Sequence, residues 1–380
     1  MNNSITVGFD AKRIVHNNTG LGSYGRTLVR ALAYLPDSMR LRLYAPDKGR
    51  DDLRTQVEGL PRVSFCYPQK DAVLPFDKAL WRDHGMVKDL QKDKVQVFHG
   101  LSGELPRGIR RSGIRSVVTI HDLIFLRHPE FYPWLDAKIY AWKFRRTLKE
   151  ADHIIAISEC TKRDILEYGR VDPECVSVVY QSCAPRFTKV TTPVEEEQVR
   201  LKYGLPKRFI LNVGTIEQRK NILLAVKALQ SLPSDLSLAI VGRHTAYTNQ
   251  VLEYISAHGL SQRVYILHDV PDTDLPALYS QAEVFVYPSV YEGFGIPIIE
   301  AVSCGLPVVA CTGSCLEEAG GPDCRYVSPD DPEALAEAIR QSLKGAPDRA
   351  ERIQRSQAYI RRFQGDDVAS QVAAIYRQLL

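Results

Sequence analysis

The sequence predicts an α/β protein built as two Rossmann-like domains facing across a cleft, and three observations lead there. Short β-branched or apolar runs alternate with longer amphipathic segments along the whole chain, the rhythm of parallel sheets covered by helices on both faces. Ten such runs are more than one open sheet comfortably holds. Residues 184–207 then interrupt the rhythm with Pro185, Pro193, Pro206 and the acidic run Glu195-Glu196-Glu197, which reads as a linker.

The predicted strands cover 5–9, 41–45, 95–98, 116–120 and 153–157, then 209–213, 236–241, 263–267, 284–287 and 307–310. This divides the chain into a domain over 1–185, a domain over 186–363 and a terminal helix over 364–380. That helix carries Val368, Val372, Ile375, Tyr376 and Leu379 on one face and is expected to pack by it, with the first domain as a candidate surface. No internal repeat or low-complexity tract is visible.

With 44% hydrophobic and 25% charged residues, 380 residues bury two ordinary cores, which excludes disordered, collagen-like and disulfide-stapled classes. A net charge of +4 is too small to imply nucleic acid. It hides an asymmetry: residues 1–185 hold 29 lysines and arginines against 22 acids, and the remainder holds 20 against 23. The eight cysteines show no CxxC and no metal-ligand spacing, and read as free thiols of a reducing cytosol. The start lacks a basic segment before an apolar run, and the longest apolar stretch, 296–311, is broken by Pro297, Glu300 and Pro307. A cytoplasmic protein without a spanning segment is the expectation.

In doubly wound folds ligands collect at the carboxyl ends of strands, so the residues just after each strand carry the functional reading. Gly20-Leu21-Gly22-Ser23-Tyr24-Gly25 satisfies G-x-G-x-x-G, with Asp47 after the second strand about where a ribose-binding acid sits. A dinucleotide fingerprint, however, needs its first glycine at the strand end, and about ten residues intervene here. A glycine loop approaching a phosphate and a plain helix entry remain alternatives. His99 and His121 both follow strands; His99 reads as structural, and His121, followed by Asp122, is the stronger candidate for the cleft. Ser158 reads as a helix N-cap.

In the second domain, Gly214 to Asn221 places Arg219 and Lys220 side by side in a loop that opens a helix. They suit a diphosphate leaving with negative charge, or form a solvated cationic pair. After the 284–287 strand, Glu292 and Glu300 flank Gly293-Phe294-Gly295, with Pro297 at a helix entrance. Such carboxylates accept hydrogen bonds from sugar or ribose hydroxyls, and the first-turn amides of Phe294, Gly295 and Ile296 can meet a hydroxyl or phosphate. Asp272-Thr273-Asp274 is a DxD string of the metal-binding kind, but it precedes a helix over 275–282, so Asp272 or Thr273 reads as its cap.

Together, Gly20 to Gly22, His121-Asp122-Leu123, Gly214 to Asn221, Glu292 to Glu300 and Cys304-Gly305-Leu306-Pro307-Val308-Val309 resemble the retaining glycosyltransferase family 4, of GT-B fold. The likeness spans nearly the whole chain and is nearest to bacterial hexosyltransferases, many of them mannosyltransferases, of surface-polysaccharide synthesis. The run 317–322 departs from the family pattern by lacking a proline before the acid.

The resemblance implies a nucleotide diphosphate sugar as co-substrate, with no cofactor and no metal. Glu300 would hold the ribose. Arg219 and Lys220, with amides near Gly20, Gly22 and Gly214, would neutralise the diphosphate. Glu292, with Gly293, Phe294, Gly295 and Ile296, would orient the hexose, and His121 would bind it from the other domain. Gly242, Arg243 and Val270 lie where the family places its base-binding wall. His121, Glu292, Arg219 and Lys220 are the residues it implies in catalysis; transfer retains anomeric configuration by a front-face route, and no residue is a nucleophile. The acceptor would be a saccharide, free or lipid-linked, and mannose from a guanosine donor is favoured. The rivals are a GT-B epimerase or phosphorylase, an NAD-dependent oxidoreductase built on Gly20 to Gly25, and a silent sugar-nucleotide-binding subunit.

Residues 136–149, stepped at helical periodicity, group Tyr140, Phe144 and Leu148 on one face, with Lys138, Arg145, Arg146 and Lys149 on another and Trp142 among them. This stripe suits peripheral docking on an anionic membrane surface, or is a solvated basic face with Trp142 folded onto a neighbour.

Overall fold

The computed structural model describes residues 5–36, 39–68, 75–363 and 365–380. The chain divides into two compact units, Met1–Ser182 with Phe363–Leu380, and Cys183–Arg362. The sequence reading places that division three residues later and begins the terminal helix at 364.

The first unit is a seven-stranded sheet of β1 (Thr6–Asp10), β2 (Arg40–Tyr44), β3 (Val63–Cys66), β4 (Val97–Gly100), β5 (Arg115–Ile120), β6 (His153–Ala156) and β7 (Val176–Val178), in the order β3-β2-β1-β4-β5-β6-β7. The second holds β8 (Phe209–Val213), β9 (Ser237–Val241), β10 (Val264–Leu267), β11 (Phe285–Tyr287), β12 (Val308–Cys311) and β13 (Arg325–Val327), in the order β10-β9-β8-β11-β12-β13. Every described pairing is parallel. The central strands β1, β4, β9 and β12 are buried at every residue, because helices cover both faces of a parallel sheet and leave no side for polar alternation.

The strand order reverses between β1 and β4 in one unit and between β8 and β11 in the other. At such a point adjacent connections leave toward opposite faces, opening a crevice beyond the carboxyl ends.

Three strands lie outside the sequence expectation: β3, β7 and β13, each at a sheet edge and only partly buried. The expected linker is also corrected. Residues Pro193–Lys202 form a helix of the second unit, with Thr192 accepting from the Glu195 amide and the Glu195 carboxylate returning to the Thr192 amide at 2.8 Å. The acidic run is therefore the first turn of a helix whose positive end it complements, and Thr-x-x-Glu is the signal that identifies it. Ser158 caps the helix Glu159–Gly169 through the Thr161 amide at 2.9 Å, as expected.

The terminal helix Gly365–Gln378 joins the core of the first unit through Val368, Val372, Ile375 and Tyr376. The buried Tyr376 hydroxyl meets His99 Nδ1 at 2.6 Å, while His99 Nε2 meets Thr119 Oγ1 at 2.7 Å. Burial pushes His99 down to about 3, so a neutral imidazole sits between two hydroxyls in a structural role. Tyr376→Phe leaves a buried ring nitrogen without its partner and is expected to cost about 1–3 kcal/mol in urea unfolding, with an unchanged m-value.

Candidate active site

The switch point of the second sheet assembles the site. The loop after β8 carries Glu217, Arg219 and Lys220, and the loop after β11 carries Val290 to Gly295; because β8 and β11 are neighbours, these loops meet. The Val290 amide donates to the Arg219 carbonyl at 2.9 Å, and Arg219 Nη1 donates to the Tyr291 carbonyl at 2.7 Å. At the centre, Glu292 Oε1 pairs with Lys220 Nζ at 2.5 Å and Oε2 with Arg219 Nη1 at 2.8 Å, all three side chains being largely buried. Arg219 also pairs with the more exposed Glu217 at 2.6 Å.

Burial works to raise the Glu292 carboxyl, but Lys220 and Arg219 outweigh it and hold the group at about 2. Burial works to lower Lys220 and Arg219, and in both Glu292 overrides it, so both stay cationic. Two cations converge on the one buried carboxylate in a low-dielectric crevice, with Glu217 balancing Arg219 at the more exposed edge, and cations fixed in this way can meet a diphosphate and an anionic leaving group.

Sequence reasoning missed Tyr287. Its hydroxyl accepts from Lys220 Nζ at 2.7 Å and donates to Glu292 Oε1 at 3.1 Å, fixing the angle at which the pair meets. It also missed Cys315, whose buried thiol reaches the carbonyls of Glu292 at 3.0 Å and Phe294 at 2.8 Å and pins the loop from beneath. A tyrosine ending a strand was legible as a cleft residue; a cysteine so distant in sequence was not.

Gly295 adopts φ +120°, a conformation that favours glycine, and turns the chain into the helix Ile296–Ser303, where Pro297 lies in the first turn. Phe294 is buried in the core beneath this turn. Glu300, one turn in, accepts from the Tyr279 hydroxyl at 3.0 Å, and burial pushes its carboxyl up to about 7 against the pull of that bond. Gly214 follows β8, and Gly242 ends β9, its amide bonded to Leu267 and its carbonyl accepting from His268 Nδ1 at 3.0 Å. The Arg243 carbonyl accepts from the Ile216 amide at 3.1 Å, and Val270 lies half-buried beyond β10.

In the first unit, the short helix Lys12–His16 fills the interval between β1 and the glycines, so Gly20 and Gly22 form the first turn of the helix Gly20–Tyr34 and the dinucleotide geometry is absent. The Gly22 amide already donates to the Thr19 carbonyl at 3.0 Å, and a Cβ there would lie 1.9 Å from the Asn17 carbonyl oxygen. Close packing against the Asn17 backbone thus requires a glycine at position 22. His121 follows β5 with Nε2 donating to the Leu101 carbonyl at 2.8 Å and Nδ1 facing the Gln181 amide nitrogen at 2.9 Å. Burial lowers it to about 4, so it is neutral with a fixed tautomer.

The basic helix, Trp134–Glu150, is split by its contacts. Lys138, Arg145 and Lys149 are exposed, together with Trp134, Leu135 and Ile139, which sequence reasoning did not single out. Arg146 leaves the exposed set: it pairs with Asp83 at 2.6 Å and stacks on Trp142, which Arg107 flanks as well. Tyr140, grouped by periodicity with the buried Phe144, is itself exposed, against Phe125 and Tyr132. The cap assigned to Asp272 or Thr273 is also corrected. Asp274 precedes the helix Leu275–Gln281, Asp272 pairs with Arg186 at 2.8 Å, and Asp274 pairs with Lys202 at 2.6 Å, so both carboxylates of the DxD string are spent on ion pairs.

Residues 19–182 match the family model described as Glycosyltransferase Family 4, and residues 194–359 that described as Glycosyl transferases group 1. The chain is 28% identical to O-antigen chain mannosyltransferase B of Escherichia coli, over 98% of this chain and 99% of that protein. It is 28% identical to O-antigen chain mannosyltransferase RfbU of Salmonella typhimurium over 67% of each. The crystal structure of Anabaena HepE in complex with UDP and glucose superposes with a TM-score of 0.74 at 19% identity, over 99% of this chain and 100% of that one. Two doubly wound units with a charged crevice at the switch point are the GT-B architecture, and the chain belongs to glycosyltransferase family 4.

Because Glu300 titrates higher in the folded chain than unfolded, the folded state binds more protons between the ordinary carboxyl value of 4.5 and about 7, and stability from this group falls as pH rises through that window. Glu300→Gln removes the term. The Tm of the variant relative to wild type is expected to be higher at pH 8 than at pH 5; an offset independent of pH would contradict the environment described.

Proposed function

We propose that the protein is a retaining, metal-independent hexosyltransferase that moves a hexose, with mannose favoured, from a nucleoside diphosphate sugar to a saccharide acceptor, free or lipid-linked, in surface-glycan assembly. The observation that carries the reading is the buried cluster of Lys220, Arg219, Glu292 and Tyr287 at the switch point. The O-antigen mannosyltransferases among its relatives support the hexose and the setting.

In this reading the diphosphate displaces Glu292 as partner of Lys220 and Arg219, and Glu292 turns to a hexose hydroxyl. As the glycosidic bond breaks, charge grows on the β-phosphate, where the two cations meet it without reorganisation. The leaving phosphate oxygen takes the acceptor proton. Glu300 receives the ribose hydroxyls.

Thermal-shift titration in EDTA against guanosine, uridine and adenosine diphosphate sugars, with NADH alongside, is expected to single out one diphosphate sugar. Stabilisation by NADH alone would restore the oxidoreductase, and turnover without an acceptor sugar, or with orthophosphate, would favour the epimerase or phosphorylase. Lys220→Ala should lower kcat by at least ~100-fold with the fold intact. Near-wild-type turnover would remove Lys220 from the mechanism.

The exposed side chains of Trp134, Leu135 and Ile139 among Lys138, Arg145 and Lys149 support a second element of the reading, peripheral docking on an anionic membrane. Trp142 is exposed on the same helix. Co-sedimentation with vesicles containing anionic lipid should be lost on changing Lys138, Arg145 and Lys149 to Glu; unaltered binding would refute the docking.

A further inference from the structure

A hollow of about 720 Å³ lies at the switch point of the first unit's sheet and is lined by residues of that unit alone. Its volume falls within the ~300–1,000 Å³ of small-molecule sites. Asp10 ends β1 and Glu104 follows β4, and Arg82 bridges them, with Arg82 Nη2 to Asp10 Oδ2 at 2.5 Å. Lys143 continues the chain to Glu104 at 2.9 Å. Burial works to raise Glu104, but Arg82 and Lys143 outweigh it and hold it at about 2. Planar carboxylates and a guanidinium held rigid in this way present hydrogen-bond partners at fixed positions, which suits a ligand dense in hydroxyls.

Two further features narrow the ligand. Trp142 is 52% exposed on the wall of the hollow, and the guanidiniums of Arg107 and Arg146 hold its ring from 5.6 and 5.3 Å. A half-exposed indole held by its neighbours is a platform for the apolar C–H face of a pyranose. Charge is the second feature: six lysines and arginines line the hollow against four carboxylates. The exposed Lys12 side chain stands at the rim with no ion pair among the described residues, and burial, then Arg82 and Arg13, lower its pKa against the weaker opposing pull of Glu104 and Asp10. With cations in excess along the wall, an ammonium not engaged in an ion pair is stabilised by an incoming anion.

We propose that this hollow is a saccharide-binding site that takes a sugar bearing an anionic substituent, phosphate or carboxylate, with the ring on Trp142 and the anion at Lys12. In the transferase reading, on which this inference rests, the bound sugar belongs to the acceptor. Neutral hydroxyls engage the ladder of Asp10, Arg82 and Glu104, and the anion sets the preference.

The test is direct binding to the full-length chain, read by tryptophan fluorescence and by calorimetry. The probes are glucose 1-phosphate, glucuronate, methyl α-mannoside and inorganic phosphate. Saturable binding of glucose 1-phosphate or glucuronate, at least ~10-fold tighter than methyl α-mannoside, is expected. Which of the two binds identifies the substituent. Trp142→Phe should remove most of the fluorescence response and weaken binding in calorimetry, whereas Trp134→Phe should leave both. Lys12→Gln should bring the charged sugar to the affinity of the neutral one, with Lys12→Arg retaining the preference.

No binding by any sugar, equal affinity for neutral and charged sugars, inorganic phosphate binding as tightly as the sugar phosphate, or indifference to Trp142→Phe would each overturn the proposal. Donor stabilisation measured on the same samples separates the two failures. With donor binding present and saccharide binding absent, this site is wrong and the transferase stands. With no donor bound, the transferase itself falls.

Discussion

A carboxylate taken out of water must be met by compensating charge, and the second unit is organised around meeting that demand at Glu292. Desolvation of such a group costs several kcal/mol, which two cations rather than one are placed to offset. Lys220 and Arg219 reach Glu292 only because β8 and β11 are adjacent, so that the loops leaving them face each other. The remaining contacts serve that meeting. Backbone bonds between Val290 and Arg219 tie the loops, Tyr287 orients the ammonium, and the Cys315 thiol holds the Glu292–Phe294 backbone from below. A site arranged in this way holds its cations in place before any substrate arrives, which is what electrostatic stabilisation of a leaving group requires.

The first unit has the same strand order but a different filling at its switch point. Asp10 and Glu104 occupy positions after β1 and β4 that correspond topologically to the loops of Lys220 and Glu292, and Arg82 arrives from a helix to satisfy both. One architecture thus presents two crevices of different electrostatics. The crevice of the second unit gathers two cations around one buried carboxylate, with Glu217 at its edge, while that of the first alternates charges along a ladder and sets Lys12 at its rim. The fold specifies where ligands go, and the side chains specify which ligand goes there.

The interior of the fold was legible because buried parallel strands must be continuous apolar runs; 209–213 and 307–310 could hardly be anything else. The edge strands β3, β7 and β13 were not, since Val-Ser-Phe-Cys and Arg-Tyr-Val are half solvated and show neither a run nor an alternation. The linker was misread because three glutamates suggest solvent, although Thr192 and Glu195 form a capping box. At the site, Arg219, Lys220 and Glu292 were legible from their place after strands, and the structure brings them together. At Gly22 a motif shared with phosphate loops also answers to the close approach of Asn17. What lies outside any local pattern, such as Cys315 under the Glu292 loop or Asp83 claiming Arg146, depends on contacts that only the folded chain defines.

The protonation states of the second-unit cluster constrain its chemistry further. Glu292 is held near 2, the paired cations are raised, and burial raises the Tyr287 phenol above its ordinary value, with Glu292 adding to the rise and Lys220 opposing it. None of these groups exchanges a proton readily near neutrality, and a general acid or base needs a pKa close to the working pH. The cluster is therefore suited to stabilising charge rather than to moving protons. A reaction whose leaving group is itself anionic and basic enough to accept the proton of the incoming hydroxyl matches that limitation, because the proton then passes between substrates. Since any such reaction places the same demand on Arg219 and Lys220, the identity of the incoming group has to be decided by a different surface. The ordered charge ladder and open indole of the first unit are where the chain carries the means to decide it.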